Sequence, residues 1–377
     1  MKSKIWFLIL ILFWACKDKY MPHINYPASG ILVVEGFINT GNGPTTISLT
    51  RVAPLNNIGV IPEPGADVQV ESERGVSFKL SETGGGNYSI DQIALDSSQK
   101  YRVRIRTSNG KEYLSALTEV KITPPIDTVG FDTASDHLTI YVSTHDDRNK
   151  SVYYEWYYSE TWKYLAYAFS NFKYTSLGIE SRDILDADTL YNCWSSDQSN
   201  DILLASSENL SSDVISKFPV QTVSYFSSNR MRVRYSILVK QIVLTKDWYE
   251  WKQQLKKNTE QLGSIFDAQP SETGGNITCL TDTTERVIGF IGCTSEIEKR
   301  IFISRSQIPN VFVSTGYETC AADTVKPGFY SLFEDGSDLI ISQAVVPPGI
   351  VVGYMGASVE CMQCSLHGGT TVEPDFW

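Results

Sequence analysis

Tyr101-Arg102-Val103-Arg104-Ile105-Arg106 alternates apolar and charged residues without a break. In an extended chain successive side chains point to opposite faces. Tyr101, Val103 and Ile105 therefore share one face and the three arginines the other. This is the pattern of an antiparallel strand with one face in a core and one in water. The arginine row reads as the solvated face rather than as a ligand site. Shorter runs surround it. Residues 31–34 open the series, residues 45–49 alternate around Ile47 and Leu49, and residues 68–70 and 76–80 follow. Gly84-Gly85-Gly86-Asn87 supplies a turn before Tyr88 and Ile90. About seven strands in roughly 95 residues is the arithmetic of a β-sandwich, immunoglobulin-like or prealbumin-like. The predicted sandwich covers residues 30–123.

Thr123-Pro124-Pro125-Ile126-Asp127 interrupts the pattern. Adjacent prolines cannot donate to a ladder and stiffen a link, so the domain boundary is placed there. Residues 124–377 read as a larger β-rich domain. Strands are expected at 138–142, 152–158, 231–244, 287–291, 300–304 and 339–346, and a helical turn at 206–214. One helix is expected near 247–262. Asp247 stands as its cap with Glu250 in capping-box spacing. Trp248, Trp251, Leu255 and Leu262 recur at helical intervals, and Gly263 suits the stop. The expected architecture is mainly β: a sandwich, then a β-rich domain carrying one packed amphipathic helix.

The N-terminus carries an address. Lys2 and Lys4 precede an unbroken apolar run from Ile5 to Ala15, and Cys16 follows. A membrane-spanning helix needs about 20 apolar residues, so this run has the length of a signal-peptide core. Ala15 before Cys16 matches the end of a bacterial lipobox, although Phe13 and Trp14 are bulky for one. Residues 1–15 are thus expected to be a lipoprotein signal peptide. Cys16 is the expected lipidation site, and residues 16–29, with Pro22 and Pro27, are a short polar tether.

The formal net charge is −11, which argues against nucleic acid, because phosphate binding needs a basic surface. Beyond Cys16 there are six cysteines: Cys193, Cys279, Cys293, Cys320, Cys361 and Cys364. An even number in an exported chain favours disulfides. Connectivity stays open, but Cys279 and Cys293 flank an expected hairpin and Cys361 and Cys364 are close enough to pair locally. Cys361, Cys364 and His367 offer three metal ligands where a structural zinc site wants four. No metal and no cofactor are expected.

Aromatic residues crowd residues 153–167. Tyr154, Trp156, Tyr158 and Trp162 are the ligand-binding candidates if the run presents a sugar-stacking face; core packing is the plainer expectation. Enzyme signatures are lacking: no Gly-x-Ser-x-Gly, no His-Glu-x-x-His and no phosphate-binding loop. His137 and His145, with Asp146 and Asp147, read as polar turns. Asp186-Ala187-Asp188 and Glu334-Asp335-Gly336-Ser337-Asp338 lack a full calcium loop and read as loops.

The chain ends Cys361-Met362-Gln363-Cys364, then Gly368-Gly369-Thr370 and Pro374-Asp375-Phe376-Trp377. Upstream stand Asp247-Trp248-Tyr249-Glu250-Trp251, residues 263–270, Gly275-Asn276-Ile277 and Val287-Ile288-Gly289-Phe290. Near the start are Leu32-Val33-Val34-Glu35-Gly36 and Pro124-Pro125-Ile126-Asp127. In this order the set resembles the Bacteroidetes lipoprotein family named domain of unknown function 4249, over nearly the whole mature chain. The pair Cys279 and Cys293 is an addition to that pattern. The resemblance implies a lipid-anchored outer-membrane protein, of unknown facing, often encoded beside a TonB-dependent receptor. It implies no catalytic residues. The expected function is a non-enzymatic accessory or binding component of TonB-dependent nutrient uptake. The alternatives are a free-standing surface binder of glycan or peptide and a cryptic hydrolase.

Overall fold

The computed structural model describes residues 30–53, 59–260 and 274–377. The signal peptide, Cys16, the tether, Leu262 and Gly263 lie outside the described residues. The fold is mainly β, with several sheets and few helices. No helix among the described residues is long and apolar enough to cross a membrane.

The alternating run behaves as its pattern dictates. Tyr101, Val103 and Ile105 are buried with Leu32, Val34, Ile47, Val68 and Val70 in the core of the first sandwich. Arg102 and Arg104 lie opposite Glu71 on strand Asp67–Ser72, with N–O distances of 2.9 and 2.5 Å. Burial pushes the Glu71 carboxyl up, but the two guanidinium groups outweigh it and hold it below the ordinary range. The row is a cross-strand charge ladder on the outer face.

The sandwich does not end at residue 123. Strand Ile277–Cys279 pairs antiparallel with Glu112–Ser115. Val287–Ile288 runs parallel to the start of Leu32–Asn39. Cys293–Thr294 lies between that first strand and Thr118–Lys121, parallel to both. Ile277, Val287, Ile291 and Cys293 fill the same core. The expected contiguous boundary is corrected accordingly: segment 277–294 returns across the second domain and closes the first. Two parallel strands of two residues each, Val287–Ile288 and Cys293–Thr294, carry no alternation long enough to be read from sequence. The return also brings Glu285 inward. Lys111 and Tyr113 donate hydrogen bonds to it, and Arg51 lies 3.5 Å away. Burial alone would raise this carboxyl; Lys111 and Tyr113 overturn that and lower it.

The second unit is another sandwich. One sheet comprises Ile126–Thr133, His137–His145 and Val214–Ser224. The other runs Asn192–Gln198, Tyr153–Leu165, Arg234–Val243, Ile297–Ser304, with Leu203–Ser206 added to the long strand. Leu138, Ile140, Val142, Trp156, Tyr235 and Ile237 pack between them. The helix is Lys246–Glu260 as far as it is described. Its cap differs from the expectation: Thr245 Oγ1 accepts from Trp248 N at 3.3 Å. Asp247 instead sits in the first turn, where a negative charge suits the helix dipole.

Two other expectations change. Residues 206–214 form a strand end and turns, not a helical turn. Asp186 and Asp188 lie on a short helix, Ile184–Tyr191, capped by Asp183 through Leu185 N; an acid immediately before the helical run was the missed signal.

A third, smaller sheet joins Gly178–Ser181, Phe172–Thr175, Asp338–Val346, Ile350–Ser358 and Asp323–Val325. Its central hairpin is unusual in composition. Residues 339–358 contain no charged side chain. The outer half stands clear of the sheet: residues 342–346 and 350–353 have only each other as strand neighbours among the described residues. Val345, Val346, Ile350, Val351 and Val352 are exposed there.

Four cysteines staple the C-terminal segment. Cys193 bonds Cys364, and Cys320 bonds Cys361. The expected local Cys361–Cys364 pairing does not form, because each is spent on a separate partner. Cys279 and Cys293 are buried thiols. They do not flank a hairpin: one strand pairs with Glu112–Ser115 and the other lies between the first and last strands of the sandwich.

Candidate functional site

The aromatic strand Tyr153–Leu165 decides where a ligand can go, because it has two faces with different fates. Tyr154, Trp156, Tyr158 and Trp162 point between the sheets of the second sandwich, all below a tenth exposed. The polar atoms of three of them are occupied. Tyr154 Oη donates to Asp213 at 2.9 Å, Trp156 Nε1 to Gln241 at 2.8 Å and Trp162 Nε1 to Asn229 at 3.1 Å. These four candidates are core residues and form no sugar-stacking platform.

The opposite face carries Tyr153, Glu155 and Tyr157, and here the structure opens. A cleft of about 320 Å³ lies where the first sandwich, the long strand and helix Lys246–Glu260 meet. The first sandwich contributes Glu35, Gly36 and Phe37 from its opening strand and Phe290 from the returning segment. The strand contributes Glu155 and Tyr157, and the helix Trp248, Trp251, Lys252 and Leu255. Ser199, Asp201 and Ile202 form the remaining rim. That loop is tied to the helix at both backbone groups: Lys256 Nζ donates to Ile202 O at 2.5 Å, and Ile202 N donates to Glu260 at 2.7 Å.

The aromatic rings form a connected wall. Phe37 lies 6.3 Å from Trp248, Trp248 lies 6.1 Å from Phe290, and Phe290 lies 6.0 Å from Trp251, between ring centres. Gly292 makes the close approach possible: a Cβ there would stand 2.0 Å from the Trp248 ring. The Tyr157 hydroxyl donates to Glu296 behind the wall.

The polar groups are few and incompletely matched. Lys252 Nζ donates to Glu155 Oε1 at 2.8 Å. Glu155 is 6% exposed, and its second oxygen, Oε2, has no hydrogen-bond partner. Trp248 Nε1 likewise has none. Buried polar atoms are normally paired, so each orphan marks a place where structure has been left to something else. A concave, mostly apolar cleft at a domain junction with a small number of convergent polar groups is the usual form of a small-ligand site.

The metal possibilities do not assemble. Cys361 and Cys364 are consumed in disulfides. His367 packs edge-on against Tyr317, 4.8 Å between ring centres, and hydrogen-bonds the Glu360 carbonyl. His145 is paired with Asp127 at 2.7 Å, which raises its pKa; it is an exposed strand-end ion pair. Among the described residues, no three His, Cys, Asp or Glu side chains converge as metal ligands do.

Phe37, Glu155, Tyr157, Trp248, Trp251 and Phe290 were not singled out as a site from the sequence. Glu155 was the available signal: an acid inside an aromatic strand must be exposed, paired or functional.

Comparison with known proteins adds a family and little more. The profile of the family described as "Domain of unknown function (DUF4249)" matches residues 17–300. No curated protein sequence matches the chain. Among solved structures, a crystal structure of trypsin-activated alpha-2-macroglobulin from Escherichia coli is 12% identical, over 60% of this chain and 15% of its own length. Its TM-score is 0.19, a likeness too slight to bear on fold or function.

Proposed function

The chain belongs to the DUF4249 family of unknown function, and on that premise we propose a non-enzymatic binding protein, lipid-anchored at the outer membrane through Cys16, that serves a TonB-dependent nutrient receptor. The observation that carries this reading is the cleft between the two sandwiches. It has aromatic walls and two polar atoms without partners, Glu155 Oε2 and Trp248 Nε1.

The receptor partnership draws on a second observation, the uncharged ribbon of residues 339–358. Two-stranded ribbons are marginal by themselves, and free edges flanked by exposed valine and isoleucine invite pairing with another chain. Lipid is a poor companion for them, because unpaired backbone groups are costly in hydrocarbon. A protein offering an extended apolar strand satisfies both the edges and the side chains.

The test is purification from the native envelope in mild detergent, with a tag on this chain. The receptor is expected at near-equal amounts, and replacing Val346 and Val351 by Lys should release it. Cys16→Ala should free the chain from the membrane. If the chain repeatedly purifies alone and its loss leaves uptake intact, the receptor reading fails and a free-standing binder takes its place. Turnover of a polymer by the purified chain would defeat the non-enzymatic reading.

A further inference from the structure

The charge and ring arrangement of the cleft specify a class of ligand. Its lining holds three carboxylates, Glu35, Glu155 and Asp201, against one ammonium, Lys252. At the rim Lys256 and Glu260 offset each other, 3.4 Å apart. Behind Tyr157, Glu296 is matched by Lys240 at 2.7 Å. The acid excess therefore stays within the cleft. Resting on the reading of this cleft as the ligand site, we propose that it binds an organic cation, an amine or guanidinium carried on an apolar body.

Three features converge on that choice. Aromatic faces carry negative potential and attract cations, more strongly where water is excluded. Phe37, Trp248, Trp251 and Phe290 provide four such rings in one connected wall. Glu155 Oε2 is a buried carboxylate oxygen short of a donor, and a charged N–H donor makes the stronger bond to it. Glu35 and Asp201 are exposed at the mouth, where like-signed charges concentrate a cation before it enters. An anion would meet this field with only Lys252, already paired to Glu155, to offset it. A neutral sugar could supply a donor to Glu155 but would leave the acid excess unused. The volume suits a small amine or a single side chain rather than a polymer.

The experiment uses the full chain and intrinsic tryptophan fluorescence, backed by calorimetry. Phenethylamine and agmatine are the cationic probes. Phenylethanol is the neutral analogue of the same body, phenylacetate the anionic one, and maltotriose the sugar. Both cations are expected to bind, phenylethanol about tenfold more weakly and phenylacetate not measurably. Raising salt should weaken the cations and leave phenylethanol unchanged. Glu155→Gln should lower cation affinity about tenfold. Because that change also strands Lys252 and can cost stability, Asp201→Asn, at an exposed position, is the second variant; it should lower cation affinity severalfold with unchanged melting. Equal binding of phenethylamine and phenylethanol, or binding of maltotriose in place of the cations, overturns the cation assignment and keeps the cleft. No response to any probe overturns both.

Discussion

At the scale of single residues, the two thiols set the sharpest expectation. Burial pushes the Cys293 thiol up to about 12, and Cys279 is buried in the same core. Both sulfurs are shut away from solvent, so neither should react with iodoacetamide in the folded chain. In strong denaturant without reductant, two of the six cysteines beyond Cys16 should be alkylated, and all six after reduction. Mass spectrometry reads this directly, and six blocked cysteines in denaturant would contradict the pairing described. Residue type alone gave the parity of cysteines but not their partners, because Cys193 and Cys364 are 171 residues apart in sequence. The aromatic run left its two readings open for a related reason, and the plainer one, core packing, is what Tyr154, Trp156, Tyr158 and Trp162 do. Alternation shows that Tyr154 and Tyr157 lie on different faces, but it cannot say which face meets a neighbouring sheet. Here the even-numbered residues meet the core, and the odd-numbered Glu155 and Tyr157 meet the cleft.

At the scale of elements, long alternating or helical patterns were legible and short or borrowed ones were not. Lys100–Arg106 announces itself by strict alternation, and Arg234–Val243 by its apolar richness. The helix was visible through Trp248 and Trp251, yet its start was misplaced, since Thr245 and Asp247 are both acceptable caps. The C-terminal tail is an element of another kind, ordered by contacts rather than by ladders. Trp377 packs edge-on to Trp194 and Phe302, with the Arg234 guanidinium 5.3 Å above its ring. Arg300 lies 3.7 Å over Phe376. Trp377→Ala should therefore destabilise the fold by about 1–2 kcal/mol, seen as a lower denaturation midpoint with the disulfides intact. An unchanged midpoint would mean that the tail only rests on the surface.

At the scale of the whole molecule, the first sandwich is built from two distant stretches of chain. A fragment of residues 30–123 lacks Ile277, Val287, Ile291 and Cys293 from its core and leaves Leu32–Asn39 and Thr118–Lys121 without the strand between them. It should show no cooperative thermal transition by circular dichroism, and a synthetic peptide of residues 274–296 should restore one. Cooperative melting of the lone fragment would show that the returning segment is ornament. The closure also fixes an order of events. Thr123 N donates to Ser295 Oγ across 172 residues of sequence. At about 5–20 residues per second of synthesis, the interval between the two is on the order of ten seconds or more. Through that time the early strands present an open seam lined with Leu32, Ile38 and Val120, while the second sandwich is still arriving. The protein is thus last to finish where it was first to begin.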